Sequence, residues 1–293
     1  MSETLDFRRL YLLLSKHWFE NRKAYSLFFL CIAAFLIGWF FFMLMISSPY
    51  GLSQDNQASI YFAGLFIAGC ISASLLFRDF YARPRKINYF LLPAATLEKL
   101  LCALFYGVLI FFIAYTLIFY LTDIVAVKIA NDNNSAMMAS NTQRAAEWRQ
   151  MYNITGPLDK IKTGNVFLPS ADMFIFYPGD NIDFFTAFFP MQSAFILGAV
   201  YFNRNAFFKT IVVLLVIWML FFIMEDKLFF SLLPPDGRTF RLFTAFSVSD
   251  ASGNEQIYSL PYWIGNAATF FMRFGITPVL WIATYYRMKE KEI

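Results

Sequence analysis

The sequence predicts an all-α integral membrane protein with six transmembrane helices behind an N-terminal interfacial amphipathic helix. Three observations carry that prediction. Of the 293 residues, 59% are apolar, 20% aromatic and only 15% charged, which is too much hydrocarbon for a soluble surface. The apolar residues fall in uninterrupted runs close to the roughly 20 residues needed to cross about 30 Å of lipid. Lysine and arginine are also distributed unevenly between the segments that join those runs.

The runs define spans at about 27–46, 60–77, 100–122, 184–202, 206–224 and 265–286. The first four carry no charge over Leu27–Ile46, Ile60–Phe77, Leu100–Thr122 and Phe184–Phe202. The fifth tolerates Lys209 near one end, and the sixth contains Arg273. A charge inside a span is a functional candidate by default, but a residue near the outer interface can instead snorkel to the headgroups. No strand-like alternation is sustained, so a helical bundle is the expected way to satisfy backbone hydrogen bonds in lipid. The whole of 1–293 reads as a single polytopic domain.

Orientation follows from the charges. With the N-terminus inside, the inner segments carry 15 basic and 7 acidic residues, the outer ones 8 and 13. This bias places both termini in the cytoplasm. The overall charge of +4 then reflects membrane topology, and no nucleic-acid partner is indicated.

Before the first span, over 4–24, Phe7, Leu10, Tyr11, Leu14 and Trp18 recur at three- and four-residue intervals, with Arg9, Lys16, Glu20 and Lys23 toward the other side. That pattern predicts a helix lying on the membrane surface. The second span carries Gly64, Ala68 and Ser72 four residues apart, a thin face where another helix can pack closely. Between the second and third spans, the cytoplasmic loop 78–99 holds basic Arg83, Arg85 and Lys86, then the apolar run Ile87, Asn88, Tyr89, Phe90, Leu91 and Leu92. Pro84 and Pro93 bracket that run, which is too short to span and reads as a short helix lying across the membrane, either a docking element or a helix resting in the headgroups. Thr96 and Glu98 form a capped start for the third span. The external loops are 123–183, with an Asn131-Asp-Asn-Asn134 patch and a helix expected around 136–151, and 225–262, expected to fold back onto the outer leaflet.

Catalytic chemistry has little to work with. The single histidine, His17, lies in the N-terminal helix, which argues against a histidine-based metal site or a Ser/His pair within the membrane, and it reads as an interface residue. Cys31, Cys70 and Cys102 lie in or beside spans without metal-ligand spacing and read as packing residues. No phosphate-binding GxxxxGK[ST] loop occurs, so any ATP hydrolysis belongs to another chain. No cofactor or metal is implied. The predicted spans contain no Asp or Glu, which disfavours ion-driven transport, although Gln192, Ser72 and Ser74 offer neutral oxygens.

The order of parts resembles the permease subunits of type-2 ABC transporters, the exporter-like class, over most of the chain. The carrying residues are Ile87-Asn-Tyr-Phe-Leu-Leu-Pro-Ala-Ala-Thr-Leu-Glu-Lys99, similar to that family's coupling helix and the start of its third span. The closing Tyr286-Arg-Met-Lys-Glu-Lys-Glu292 resembles the tail of bacterial members. The resemblance implies a bacterial inner-membrane protein, a separate cytoplasmic ATP-binding subunit and a second permease chain, identical or paired. It also implies that Ile87–Leu92 inserts into the ATPase, while Arg83, Arg85 and Lys86 border that contact or meet anionic membrane lipids. The function implied is coupling of ATP hydrolysis to movement of an amphiphilic substrate. The alternative is a non-transporting scaffold or sensor with an external ligand-recognition loop.

Overall fold

The structure, a computed structural model, describes residues 5–46, 52, 54–77, 94–140, 178–202, 205–224, 238–241, 245–249, 255–259 and 270–292, with single positions at 146, 150, 261, 263 and 266–267. Its helices are α1 (Phe7–Ile46), α2 (Gln54–Leu75), α3 (Thr96–Leu104), a π-helical segment π1 (Phe105–Ile110) and α4 (Phe111–Ser140). They are followed by α5 (Pro178–Tyr201), α6 (Ala206–Met224), the strands β1 (Arg238–Arg241), β2 (Ala245–Ser249) and β3 (Glu255–Ser259), a second π segment π2 (Phe271–Gly275) and α7 (Ile276–Glu292). Four described helices are long and apolar enough to cross a membrane: Phe7–Met45, Asn56–Leu75, Thr96–Asn133 and Ala206–Met224. Thr186–Tyr201 is a shorter apolar helix.

The surface of α6 shows why these helices need lipid. Val212, Leu215, Ile217, Trp218, Leu220, Phe222 and Met224 are all exposed, so the helix is apolar around its circumference with little protein covering it. Such a helix is stable inside a core or a bilayer and not in water. α1 repeats the pattern with Leu27, Leu30, Phe35, Ile37, Phe41 and Met45. The chain is therefore a helical membrane protein.

Three expectations need correction. The predicted surface helix 4–24 and the first span are one unbroken 40-residue helix. Their junction, Glu20-Asn-Arg-Lys-Ala-Tyr-Ser-Leu27, changes polarity but holds neither Gly nor Pro, so nothing stops the helix there. The third span likewise does not end at Thr122: α4 continues to Ser140 through the Asn-rich patch, whose modest propensity cost does not break a helix already propagating. Helix 136–151 is thus in part the end of α4. Finally, the expected loop 225–262 contains an antiparallel three-stranded sheet in the order β1-β2-β3. Its register sets Phe240 opposite Phe246 and Phe246 opposite Tyr258. The sheet adds a small β element to the helical membrane body.

The chain divides into two compact units: Met1–Ser72 with Leu97–Phe184, and Ala73–Thr96 with Phe185–Ile293. In the first, α1 and the α3–π1–α4 helix run in the same direction. Their partners advance from Arg9 to Phe40 on α1 and from Glu98 to Phe119 on the other helix. At 1.5 Å per residue that is about 46 Å of α1 against about 32 Å of its partner. α2 packs on α4, with Tyr61 bonded to the Thr116 hydroxyl at 3.0 Å and accepting the Tyr115 hydroxyl on its carbonyl at 2.9 Å. Buried Leu36, Phe40, Leu65, Phe111 and Phe119 fill the core.

In the second unit, α5 and α6 form a helical hairpin. Asn205 takes the left-handed conformation at φ 55°, which asparagine tolerates. Its carbonyl accepts the Lys209 N–H. The Thr210 side chain occupies the space a Cβ on Gly198 would need, which brings the two helices close. Phe195 and Phe207 pack beside that contact at 5.5 Å.

Gly64 is the corresponding close approach in the first unit, because a Cβ there would collide with the Tyr115 hydroxyl. Ala68 and Ser72, on the same expected thin face, are half-buried. Gly64→Ala is expected to destabilise the protein by about 1–3 kcal/mol through overpacking. Tyr115→Phe should absorb part of that loss, as read by thermal unfolding of the single and double variants in detergent; strict additivity would show that the two positions do not touch.

Candidate functional site at the start of the third helix

Glu98 stands in the first turn of α3, where the unpaired N–H groups of a helix start favour negative charge. Its side chain is fully buried, yet it is well partnered. The Arg9 guanidinium lies at 3.1 Å, and the backbone N–H of Asp6 donates to Oε1 at 2.9 Å. Asp6 in turn caps α1 by accepting the Arg8 N–H on Oδ1 at 2.9 Å. One carboxylate therefore sits at the starts of two helices and against one guanidinium. That combination offsets the desolvation of a buried charge, which a single partner often does not.

About two turns on, π1 widens the helix and carries Tyr106 into α1. The Tyr106 hydroxyl donates to the Leu14 carbonyl at 3.0 Å. Its ring stacks on Trp18 at 6.3 Å and Tyr25 at 5.8 Å, with His17 at 4.9 Å. His17 Nε2 is 2.7 Å from the Tyr25 hydroxyl, and the Asn21 amide donates to the His17 carbonyl. The single histidine is thus built into the α1–π1 joint. A π segment inserts an extra residue into a helical turn and re-aims the residues beyond it, which is why such segments gather at functional joints.

At the far end of the second unit, cations collect on the C-terminus of α5. Lys291 donates to the Val200 carbonyl, Arg287 lies 4.5 Å over the Tyr201 ring, and Lys209 lies 5.8 Å over Phe202. Positive charge is favoured there by the helix dipole and by the ring faces.

The expected docking residues Ile87, Asn88, Tyr89, Phe90, Leu91 and Leu92, and the basic Arg83, Arg85 and Lys86, lie outside the described residues. The described chain resumes at Ala94, just ahead of Glu98. Cys31 is exposed, while Cys70 and Cys102 are buried; all three are free thiols. Two features escaped sequence reasoning. The Arg9–Glu98 pair joins distant segments, and its signal was a lone acid at the head of an apolar run. Asp123, expected in a loop, is fully buried within α4. No family model, curated protein or solved structure matches the chain.

Removing one partner of the buried pair should be far worse than removing both. Glu98→Ala is expected to cost about 3–5 kcal/mol, whereas Arg9→Met with Glu98→Leu should recover most of it. Denaturant unfolding of purified protein in detergent reads both; a single variant as stable as wild type would show that the carboxylate is not holding the joint.

Proposed function

We propose that the chain is the membrane-spanning permease subunit of an ATP-driven transporter, with six spans, cytoplasmic termini and an amphiphilic substrate. The observation that carries the reading is the sequence continuity between the apolar segment Ile87–Leu92 and the locked start of α3. A partner ATPase pressing on that segment pushes on a helix whose first turn is tied to α1 by Glu98. The movement then passes into two long helices instead of dissipating in a loop. Such coupling requires the docking contact to differ in free energy between the two states of the ATPase.

Further support comes from the chain's lack of a phosphate-binding loop and from its charge asymmetry, which sets Arg83, Arg85, Lys86 and the basic C-terminal helix on the cytoplasmic side. In this reading the basic and aromatic first turns of α1 rest on the inner headgroups. A second permease chain completes the path.

The scaffold or sensor reading draws on the β1–β3 sheet and on the run of α4 past its apolar stretch, both beyond what spanning requires. Deleting 238–259 separates the two: a permease keeps ATPase coupling, and a sensor loses its response.

Affinity purification of the intact protein from its native membrane should recover a cytoplasmic ATPase. Leu91→Asp, which places a charge in the apolar contact, should weaken that recovery about tenfold or more. Recovery of no ATPase from wild type, with ATPase activity indifferent to the substitution, would sink the proposal.

A further inference from the structure

His17 is the one histidine of the chain, and imidazole is the side chain whose charge ordinarily changes between about pH 5 and 8. It stands with Asn21 and Tyr25 at four-residue spacing, so the three share one face of α1. All three are half-buried, whereas Lys16, Glu20, Arg22 and Lys23 around them are exposed. That face packs on π1, where the Tyr106 ring lies 4.9 Å from the imidazole and the Tyr106 hydroxyl holds the Leu14 carbonyl.

The protonation state of the ring follows from one side-chain amide. The Asn21 amide has an atom 3.1 Å from the His17 carbonyl oxygen, which can only accept, so that atom is the nitrogen Nδ2. The same nitrogen faces His17 Nδ1 at 3.4 Å. Nδ2 carries two hydrogens and cannot accept, so Nδ1 is bare and the ring proton sits on Nε2. From there it is donated to the Tyr25 hydroxyl at 2.7 Å. The joint is built around a neutral imidazole in one defined tautomer.

A proton on Nδ1 would meet the Asn21 amide donor to donor. Turning the amide over would give that proton an acceptor but set the amide oxygen against the His17 carbonyl. Protonation therefore forces Asn21 or the imidazole out of place. The other ionisable groups on these packed elements are Tyr25 on α1, Tyr106 on π1 and the buried Cys102 thiol on α3, one turn before Tyr106. The carboxylates of α1 and α3 are paired with cations, Glu20 lying 3.7 Å from Lys16 and Glu98 lying against Arg9.

We propose that His17 makes the α1–π1 joint a pH-sensitive switch, closed while the imidazole is neutral and opened as Nδ1 takes a proton from solvent. In the opened chain the new N–H bonds to water, so the open form binds more protons than the closed one as the pH falls. The joint is fully stable above the imidazole range and loses that stability as the pH drops through it. The switch belongs to the isolated chain and does not depend on the transport reading.

The test uses the purified full chain in detergent at about pH 7.5 and about pH 5.5, either side of the imidazole range. A helical segment released from its packing partner frays, so hydrogen exchange of peptides covering 14–25, corrected for the intrinsic rate at each pH, reads the opening. Nitrogen NMR of protein labelled at histidine reports His17 alone. At the higher pH the spectrum should show a bare Nδ1 and a protonated Nε2. Lowering the pH should speed exchange across 14–25 about tenfold, the scale of one hydrogen bond lost. His17→Gln, which keeps a donor for Tyr25 and does not titrate, should exchange equally at both pH values. Asn21→Asp, which sets an acceptor before Nδ1, should keep the joint closed at the lower pH. A proton on Nδ1 at the higher pH, equal protection of wild type at both pH values, or a pH response that persists in His17→Gln overturns the switch. Greater protection at the lower pH would mean that attraction of the imidazolium to the Tyr106 ring face prevails, and overturns it equally.

Discussion

Hydrocarbon cannot accept a hydrogen bond, and most of this structure derives from that constraint. Every backbone N–H and C=O in the bilayer must be satisfied within its own helix, so a helix that enters lipid continues until it reaches water or a substitute for water. α1 and the α3–π1–α4 helix both run well past their apolar stretches because nothing in their sequences offers an earlier stop. Side-chain hydroxyls obey the same rule. Thr122, Ser193, Thr210 and Thr284 turn back onto their own helices, and Tyr115 donates its hydroxyl to the Tyr61 carbonyl of a neighbour.

Helix starts pose the opposite problem, because their first N–H groups have no intrahelical acceptor. The first unit meets it by bringing two starts to one carboxylate. Glu98 serves the dipole of α3, the Asp6 N–H at the start of α1 and the Arg9 guanidinium together. The arrangement is rigid because neither helix can shift along the other without leaving a buried charge unpaired, a loss of several kcal/mol. π1 sits close behind the clasp and carries Tyr106 into the ring cluster of His17, Trp18 and Tyr25. A helix start held by a buried ion pair is thus followed, two turns on, by a π segment whose altered register brings the Tyr106 ring onto α1.

The apolar runs were legible in the sequence because lipid demands length and the absence of charge, and both are composition. Helix continuity was not, since the change from Glu20-Asn-Arg-Lys to Leu-Phe-Phe-Leu alters solubility without altering propensity. The sheet was missed for its brevity: Arg238-Thr-Phe-Arg and Ala245-Phe-Ser-Val-Ser alternate, but over four and five residues alternation barely exceeds chance. Glu98 read as a local cap because a long-range ion pair has no period to betray it. The π segments have no compositional signature. The four-residue spacing of Thr277 and Trp281 was in plain view, but spacing alone does not say which side of a membrane helix is buried.

The two units differ in how they treat polar groups at depth. In the first, the deep hydroxyls of Tyr61, Tyr115, Thr116 and Thr122 all bond to protein, and the helices are thereby fixed to one another. In the second, the α5–α6 hairpin is equally settled, with Ser193 and Thr210 self-bonded and Gly198 in contact with Thr210. Among the described hydroxyl and indole donors, Thr277 and Trp281 of α7 are buried without an acceptor, directly after a π segment that shifts the carbonyl register. A π turn that deprived Thr277 of its own carbonyl without supplying another acceptor would be a pure loss of stability in lipid, where no water makes up the difference.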